Sequence, residues 1–266
     1  MKLQKLLSLT RQAIDAYGMI KENDKIAVGI SGGKDSLTLL YALSHLRKFY
    51  PDKFDIVAVT VDLGFDNLNL EEIREFCKKL GVEYQIIKTQ IAEVVFQVRK
   101  ESNPCSLCAK MRKGALNDAI KELGCNKIAL GHHFDDVIET ILMGMLYSGK
   151  IETMMPKLHS QNFDGMELIR PLYMVKEEDI KAWRDYNKLH FIQCACRFTE
   201  NCATCGGGRG SKRDEMKELV AEFRKNSGTL IEGNIFKSVH DINLHRVIGY
   251  HKNGDRYNFL DDYDEN

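Results

Sequence analysis

"KIAVGISGGKDSLTLLYAL", Lys25 to Leu43, is the stretch whose reading decides the fold. Ile26 to Ile30 form a short apolar run rich in β-branched side chains, whereas Leu37, Leu40, Tyr41 and Leu43 recur at helical spacing. Between them stand two adjacent glycines, a lysine, an aspartate and two serines, so the stretch reads as strand, tight turn, helix. A turn of this kind gathers backbone N–H groups and the positive end of a helix at one point, which suits a phosphate. Glycine belongs there because a Cβ would block close approach of the backbone.

Two familiar phosphate fingerprints do not fit. The Walker loop needs four residues between its first glycine and Gly-Lys, and the dinucleotide turn needs G-x-G-x-x-G. A plain turn between strand and helix does not account for Ser31, Gly32, Gly33, Lys34, Asp35 and Ser36 arriving together at a strand end.

Working outward, apolar β-rich segments recur at "FDIVAVTVD", "VEYQIIKT" and "NKIALGHH", each separated from the next by a helical pattern. That alternation predicts βαβ units and a Rossmann-like α/β fold, a parallel sheet with helices on both faces. "GMELIRPLY" reads as a further strand, "VKEEDIKAWRDY" as a helix and "LHFIQC" as an extended segment. A glycine-rich break, "CGGGRGS", precedes the helical pattern "KRDEMKELVAEFRKN". The expected organisation is one domain over residues 1–200, including an N-terminal helix, with residues 201–266 as a helical extension packed on it.

The 266 residues are 44% hydrophobic and 29% charged, an ordinary globular composition, and no apolar run approaches the roughly 18 residues of a membrane span. The first twenty residues form an amphipathic helix pattern interrupted by Arg11 and Asp15, unlike a signal peptide, so a cytoplasmic protein is expected. Basic and acidic residues both number 38, so net charge gives no sign of a nucleic-acid partner. Local basic patches remain at "AKMRKG" and "GRGSKRDEMK", and such patches are more often solvated helix faces.

Beyond the strand reading as "NKIALGHH", the sequence continues "FDDVIET". Gly131 allows backbone approach there, and Asp135 and Asp136 are placed to hold magnesium or to orient a reacting group near phosphates. Ligands of open α/β sheets lie beyond the carboxyl ends of the strands.

Of eight cysteines, Cys77 and Cys125 sit alone in helix or strand patterns and read as small buried residues. The other six cluster as "NPCSLCAK", "QCACRF" and "NCATC", and in a reducing compartment clustered thiols mean metal or redox work. Cys194, Cys196, Cys202 and Cys205 would make a closed zinc site. Cys105, Cys108 and one later cysteine would instead make a three-ligand iron–sulfur site with one open iron. A thiol–disulfide pair at Cys105 and Cys108 is a third arrangement, without a thioredoxin-like context.

The hexapeptide "SGGKDS" resembles the PP-loop of the N-type ATP pyrophosphatases, which adenylate a carbonyl oxygen and release pyrophosphate. That resemblance implies that Ser31, Gly32, Gly33, Asp35 and Ser36 hold the pyrophosphate end of ATP, with Lys34 neutralising phosphate charge or turned away. It implies adenosine contacts from Val59, Thr60 and Asp62. "PCSLCAKMRKGALNDAIKELGCNKIALGHHFDD", "GMLYSGKIETMMPKL" and "IRPLYMVKEEDI" are similar to the tRNA 2-thiocytidine synthetase family, well over residues 1–200 and weakly beyond. The family implies a 4Fe–4S cluster on Cys105, Cys108 and Cys194, with Cys196 the alternate. The chain departs from it by reading "CAC", with Arg197 where the family's second cysteine stands, and by an additional "CATC". Arg112, four residues after Cys108, matches a basic position near the cluster and the α-phosphate, or is a helix-surface arginine.

What the resemblance implies is an ATP- and magnesium-dependent tRNA sulfurtransferase acting on an anticodon-loop cytidine. Asp136, Arg112, Cys105 and Cys108 would be its catalytic residues, with a sulfur donor such as a cysteine desulfurase and a homodimeric state. Two other readings stay open from the residues: a thiolase of uridine or of a small molecule, and a regulator that binds ATP and metal without turnover.

Overall fold

A computed structural model describes residues 3–64, 70–95, 104–160, 165–187, 212–228 and 230–265, with the side chains of residues 104–106, 227, 262, 264 and 265 outside the described set. The elements run α1 (Leu3–Ala16), β1 (Asp24–Gly29), α2 (Lys34–Leu46), β2 (Phe54–Asp62), α3 (Leu70–Leu80), β3 (Glu83–Lys88) and the single turn α4 (Ile91–Glu93). They continue with α5 (Pro104–Glu122), β4 (Lys127–Ala129), α6 (Phe134–Ser148), β5 (Lys157–His159), β6 (Glu167–Ile169), α7 (Glu177–Tyr186), α8 (Lys212–Ser227) and α9 (Leu230–Ser238). A hairpin of β7 (Gly249–Lys252) and β8 (Asp255–Asn258) follows.

Six strands form one sheet in the order β3-β2-β1-β4-β6-β5, every pairing parallel except β5 with β6. β1 is buried on both faces, as a central parallel strand should be, which is why "KIAVG" carries no polar alternation. One face is covered by α1, α2 and α7, where Ile14, Leu39, Leu40, Leu43 and Trp183 fill the main core. On the other face Ile120 and Cys125 pack against Ala27, Val57 and Val59.

Cys77 and Cys125 are buried in these layers, and burial pushes the Cys77 thiol up to about 11. They are packing residues, as their isolated positions suggest. α8 and α9 lie against α6, with Met216 joining Ile138 and Leu142. No described helix is long and apolar enough to cross a membrane.

The sequence reading differs from the fold in two places. β5 is a three-residue antiparallel edge strand with no apolar run to announce it. The hairpin turn at Asn253-Gly254, with φ of 56° and 93°, is the left-handed pair that Asn-Gly favours, a hairpin signal within a segment expected to be helical.

Candidate active site

The parallel order puts the carboxyl ends of β1, β2, β4 and β6 along one rim, and the loop Ile30–Gly33 leaves β1 at its centre. Gly32 adopts φ +83°, a left-handed conformation that side chains resist. Ser31 and Ser36 brace the turn from within: the Ser31 N–H donates to Ser36 Oγ at 3.2 Å, and Ser36 Oγ donates to the Gly33 carbonyl at 3.0 Å. Gly33 is the N-cap of α2 and supplies no side-chain cap, so the first N–H groups of that helix point into the loop without a side-chain acceptor. That is a cradle for an anion, strengthened by the helix dipole.

β4 supplies the other wall. A Cβ on Gly131 would meet the Asp35 carbonyl carbon at 2.9 Å, its oxygen at 3.0 Å and the Ser36 nitrogen at 3.0 Å. The strand end therefore touches the backbone of the loop directly.

Helix α6 begins at this contact. Asp136 caps it, accepting the His133 N–H at 2.9 Å, and Asp135 accepts the Glu177 N–H at 2.7 Å, fixing the start of α7. The buried His133 ring lies among three carboxylates, 3.9 Å from Asp35, 3.6 Å from Asp135 and 3.5 Å from Asp136. Asp135 and Asp136 thus have structural partners already, and no group of three metal-ligating residues is assembled among the described residues.

Lys34 does not lie loose. Its ammonium is 3.0 Å from Asp35 and 3.0 Å from Glu177. Burial works against its charge, but the two carboxylates outweigh burial and raise its pKa. Glu177 feels the same pair from the other side: burial would raise it, yet Lys181 and Lys34 hold it down to about 2.

Arginines of α8 reach the same place, and no strand or motif signal foretold them. Arg213 stands 3.8 Å from Asp136 and 3.1 Å from Glu139, and Arg224 stands 3.8 Å from Asp135 while pairing with Glu232. Arg213 falls within the basic patch "GRGSKRDEMK", so composition marked it without its partners. Glu139 is 3% exposed, and burial pushes its carboxyl up to about 7 despite the nearby Lys217 and Arg213.

The remaining expected residues share the rim in different ways. Val59 is core, and its carbonyl accepts the Ile30 N–H at 2.8 Å. Thr60 donates to the Ile30 carbonyl at 3.0 Å, and the half-buried Asp62 accepts the Gly64 N–H at 2.9 Å. The start of α5 packs on the end of β2, where half-buried Cys108 contacts a cluster of Val61, Leu63, Ile91 and Val95. Positions 105, 108 and 112 recur at three- and four-residue intervals along one helix side. Arg112 is exposed there. Cys194, Cys196, Cys202 and Cys205 lie outside the described residues, as does "LHFIQC".

A phosphate cradle at the first strand end of a parallel sheet, walled by the "GHH" segment of the neighbouring strand, defines the PP-loop class. The PP-loop domain model matches residues 3–197, and the chain belongs to that family. Curated relatives named tRNA-cytidine(32) 2-sulfurtransferase narrow it further. The one from Anaeromyxobacter dehalogenans is 36% identical over 238 residues, covering 89% of this chain and 78% of its own. The one from Pseudomonas fluorescens is 36% identical over 244 residues, covering 91% and 85%. This chain is a member of the tRNA-cytidine(32) 2-sulfurtransferase family. Among solved structures, the U34-tRNA thiolase NcsA from Methanococcus maripaludis with its 4Fe–4S cluster shares the fold, with a TM-score of 0.66 at 24% identity over 93% of this chain and 84% of that one.

Proposed function

We propose that this protein is an ATP-dependent sulfurtransferase that converts a cytidine of the tRNA anticodon loop to 2-thiocytidine. The observation that carries the reading is the common rim: the phosphate cradle of Ser31–Ser36 and the Cys108 end of α5 open on the same side of the sheet. Relatives named for this activity cover most of the chain.

The C2 carbonyl oxygen is a poor leaving group, and ATP makes it a good one. That oxygen attacks the α-phosphorus, pyrophosphate leaves with the electrons of the broken P–O bond, and the base carries an adenylate at C2. Sulfide then adds at C2 and expels AMP, which takes the original oxygen with it. The loop residues Gly32 and Gly33 and the start of α2 receive the pyrophosphate, because their N–H groups stabilise the charge that builds on it. Lys34, held by Asp35 and Glu177, fixes the loop and adds positive charge beside it. Asp135 and Asp136 would hold a magnesium ion bound with the nucleotide, and that ion would neutralise phosphate charge.

The donor chemistry of α5 fits an iron–sulfur group: Cys108 lies in the second turn of the helix, half-buried beside the apolar residues Val61, Leu63, Ile91 and Val95. A 4Fe–4S cluster on Cys105, Cys108 and Cys194 would supply an open coordination position for sulfide. Arg112, one turn further, would face the α-phosphate, and Asp136 would keep the neighbouring "GHH" wall in place. The tRNA would present a splayed base, with phosphates meeting lysines and arginines. A cysteine desulfurase as sulfur source, a homodimeric state, a cytoplasmic location and the division into residues 1–200 and 201–266 belong to the same proposal.

Nucleoside mass spectrometry of tRNA from a strain lacking this gene tests it. Loss of 2-thiocytidine, restored by the wild-type gene and not by Cys108→Ala, is expected. Intact 2-thiocytidine with a missing thiouridine would assign the enzyme to uridine instead.

A further inference from the structure

β4 and β6 are neighbours in register, Ala129 opposite Ile169, and the Leu130 N–H continues the ladder to the Ile169 carbonyl at 3.0 Å. The residues that follow, His132 and Arg170, therefore emerge side by side at the ligand end of the sheet. Arg170 is 9% exposed; its Nε donates to His132 Nδ1 at 3.3 Å, and its Nη1 bonds the Met155 carbonyl. A guanidinium has donors only and keeps its proton throughout the working range. Whatever faces it must accept. His132 Nδ1 is thus an acceptor, and the ring's single proton resides on Nε2.

His132 Nε2 makes no hydrogen bond among the described residues. The residue adjoins Gly131, where an added Cβ would lie only 3.0 Å from the Asp35 carbonyl oxygen and from the Ser36 nitrogen of the loop. We propose that Arg170 is a positioning residue that locks His132 as a neutral hydrogen-bond donor, and that His132 Nε2–H binds a phosphate oxygen of ATP held at the loop. This inference rests on the nucleotide reading above and names a contact that reading does not contain. It assigns His132 the role of donor and excludes it as a general base, because its one free nitrogen already carries the proton.

The surroundings agree. Burial and the Arg170 charge hold the imidazole down to about 4, with Arg213 and His133 acting in the same direction and Asp136 opposing them. No protonation of His132 is expected between about pH 5.5 and 8.5.

Two measurements on the full-length protein test the proposal. In the first, long-range proton–nitrogen NMR of histidine-labelled protein reads the tautomer without nucleotide. The wild type should show Nδ1 bare and Nε2 protonated from pH 5.5 to 8.5, whereas Arg170→Met should move the His132 titration upward and let Nδ1 carry a proton, burial still holding the ring below its ordinary range. A wild-type imidazolium or an Nδ1–H form in that range would overturn the lock.

In the second, calorimetric titration with magnesium-ATP should show His132→Ala weakening binding by about 10- to 100-fold, with a melting temperature lowered by no more than the few degrees that the unpaired Arg170 Nε costs. His132→Gln, whose amide nitrogen stands near the lost donor, should recover most of it. Arg170→Met should bind ATP more tightly as pH falls, a dependence that a merely structural arginine would not create. Equal ATP affinity in His132→Ala and wild type would overturn the phosphate contact. Wild-type protein that fails to bind ATP would refute the nucleotide reading and the contact together, while the NMR result would still judge the lock by itself.

Discussion

Gly131→Ala is the smallest change that reaches the centre of the site. The added methyl would lie 2.9 to 3.0 Å from three backbone atoms of Asp35 and Ser36, none of which can rotate away. Ordinary carbon contacts need about 3.5 Å or more, so either β4 or the start of α2 must retreat by roughly half an ångström. Overpacking of this kind costs about 1 to 3 kcal/mol, and at roughly 2 to 4 °C per kcal/mol for chains of this size the melting temperature should fall by about 2 to 12 °C. The functional loss should be larger than the loss of stability suggests, because the atoms that move carry the phosphate-binding N–H groups. A misplacement approaching an ångström costs about a hundredfold. Thermal denaturation followed by ATP titration and pyrophosphate release separates the two effects. A Gly131→Ala protein with wild-type melting temperature and wild-type ATP affinity would refute the claim that this contact shapes the cradle.

Glu139 should make stability depend on pH in the sense opposite to a carboxylate whose pKa is depressed, because burial outweighs its Arg213 partner. Its native pKa of about 7 exceeds the ordinary 4.5, so the folded state binds the extra proton and stability declines as pH rises from 4.5 through 7. The decline amounts to about 3 kcal/mol, and Glu139→Gln should remove it, which urea denaturation at pH 5 and pH 8 would show. Arg224→Met leaves the buried Glu232 with Lys176 alone, at 2.8 Å, and should destabilise the protein by about 1 to 2 kcal/mol in the same denaturation assay at pH 7. Anaerobic purification with iron and sulfide analysis should find iron lost from Cys105→Ala and Cys194→Ala and retained in Cys202→Ala.

The features legible in the sequence were those written in consecutive residues. The continuous apolar run of β1, the period near 3.6 in α2 and the glycine pair between them are local, and they place the phosphate cradle without reference to the rest of the chain. "GHHFDD" was legible as a strand end for the same reason, although the strand itself is only Lys127–Ala129, with one further ladder bond from Leu130 before Gly131 turns to form the wall of the site. Pairings between distant segments were not legible. Nothing near Lys34 announces Glu177, nothing near Asp135 and Asp136 announces Arg224 and Arg213, and a charged helix such as α8 looks the same whether its face meets water or a neighbour's carboxylates. Arg170 was hidden in another way, since "IRPLY" reads as an ordinary strand end until β6 is known to lie beside β4.

The reaction itself is tested most directly by following one oxygen atom. With tRNA carrying oxygen-18 at C2 of the target cytidine, incubated anaerobically with the protein, ATP and sulfide, the account predicts that the AMP released contains the label in proportion to the 2-thiocytidine formed. Unlabelled AMP accompanying 2-thiocytidine would show that ATP never joins the base through that oxygen, and the adenylation chemistry assigned to the Ser31–Ser36 loop would be wrong.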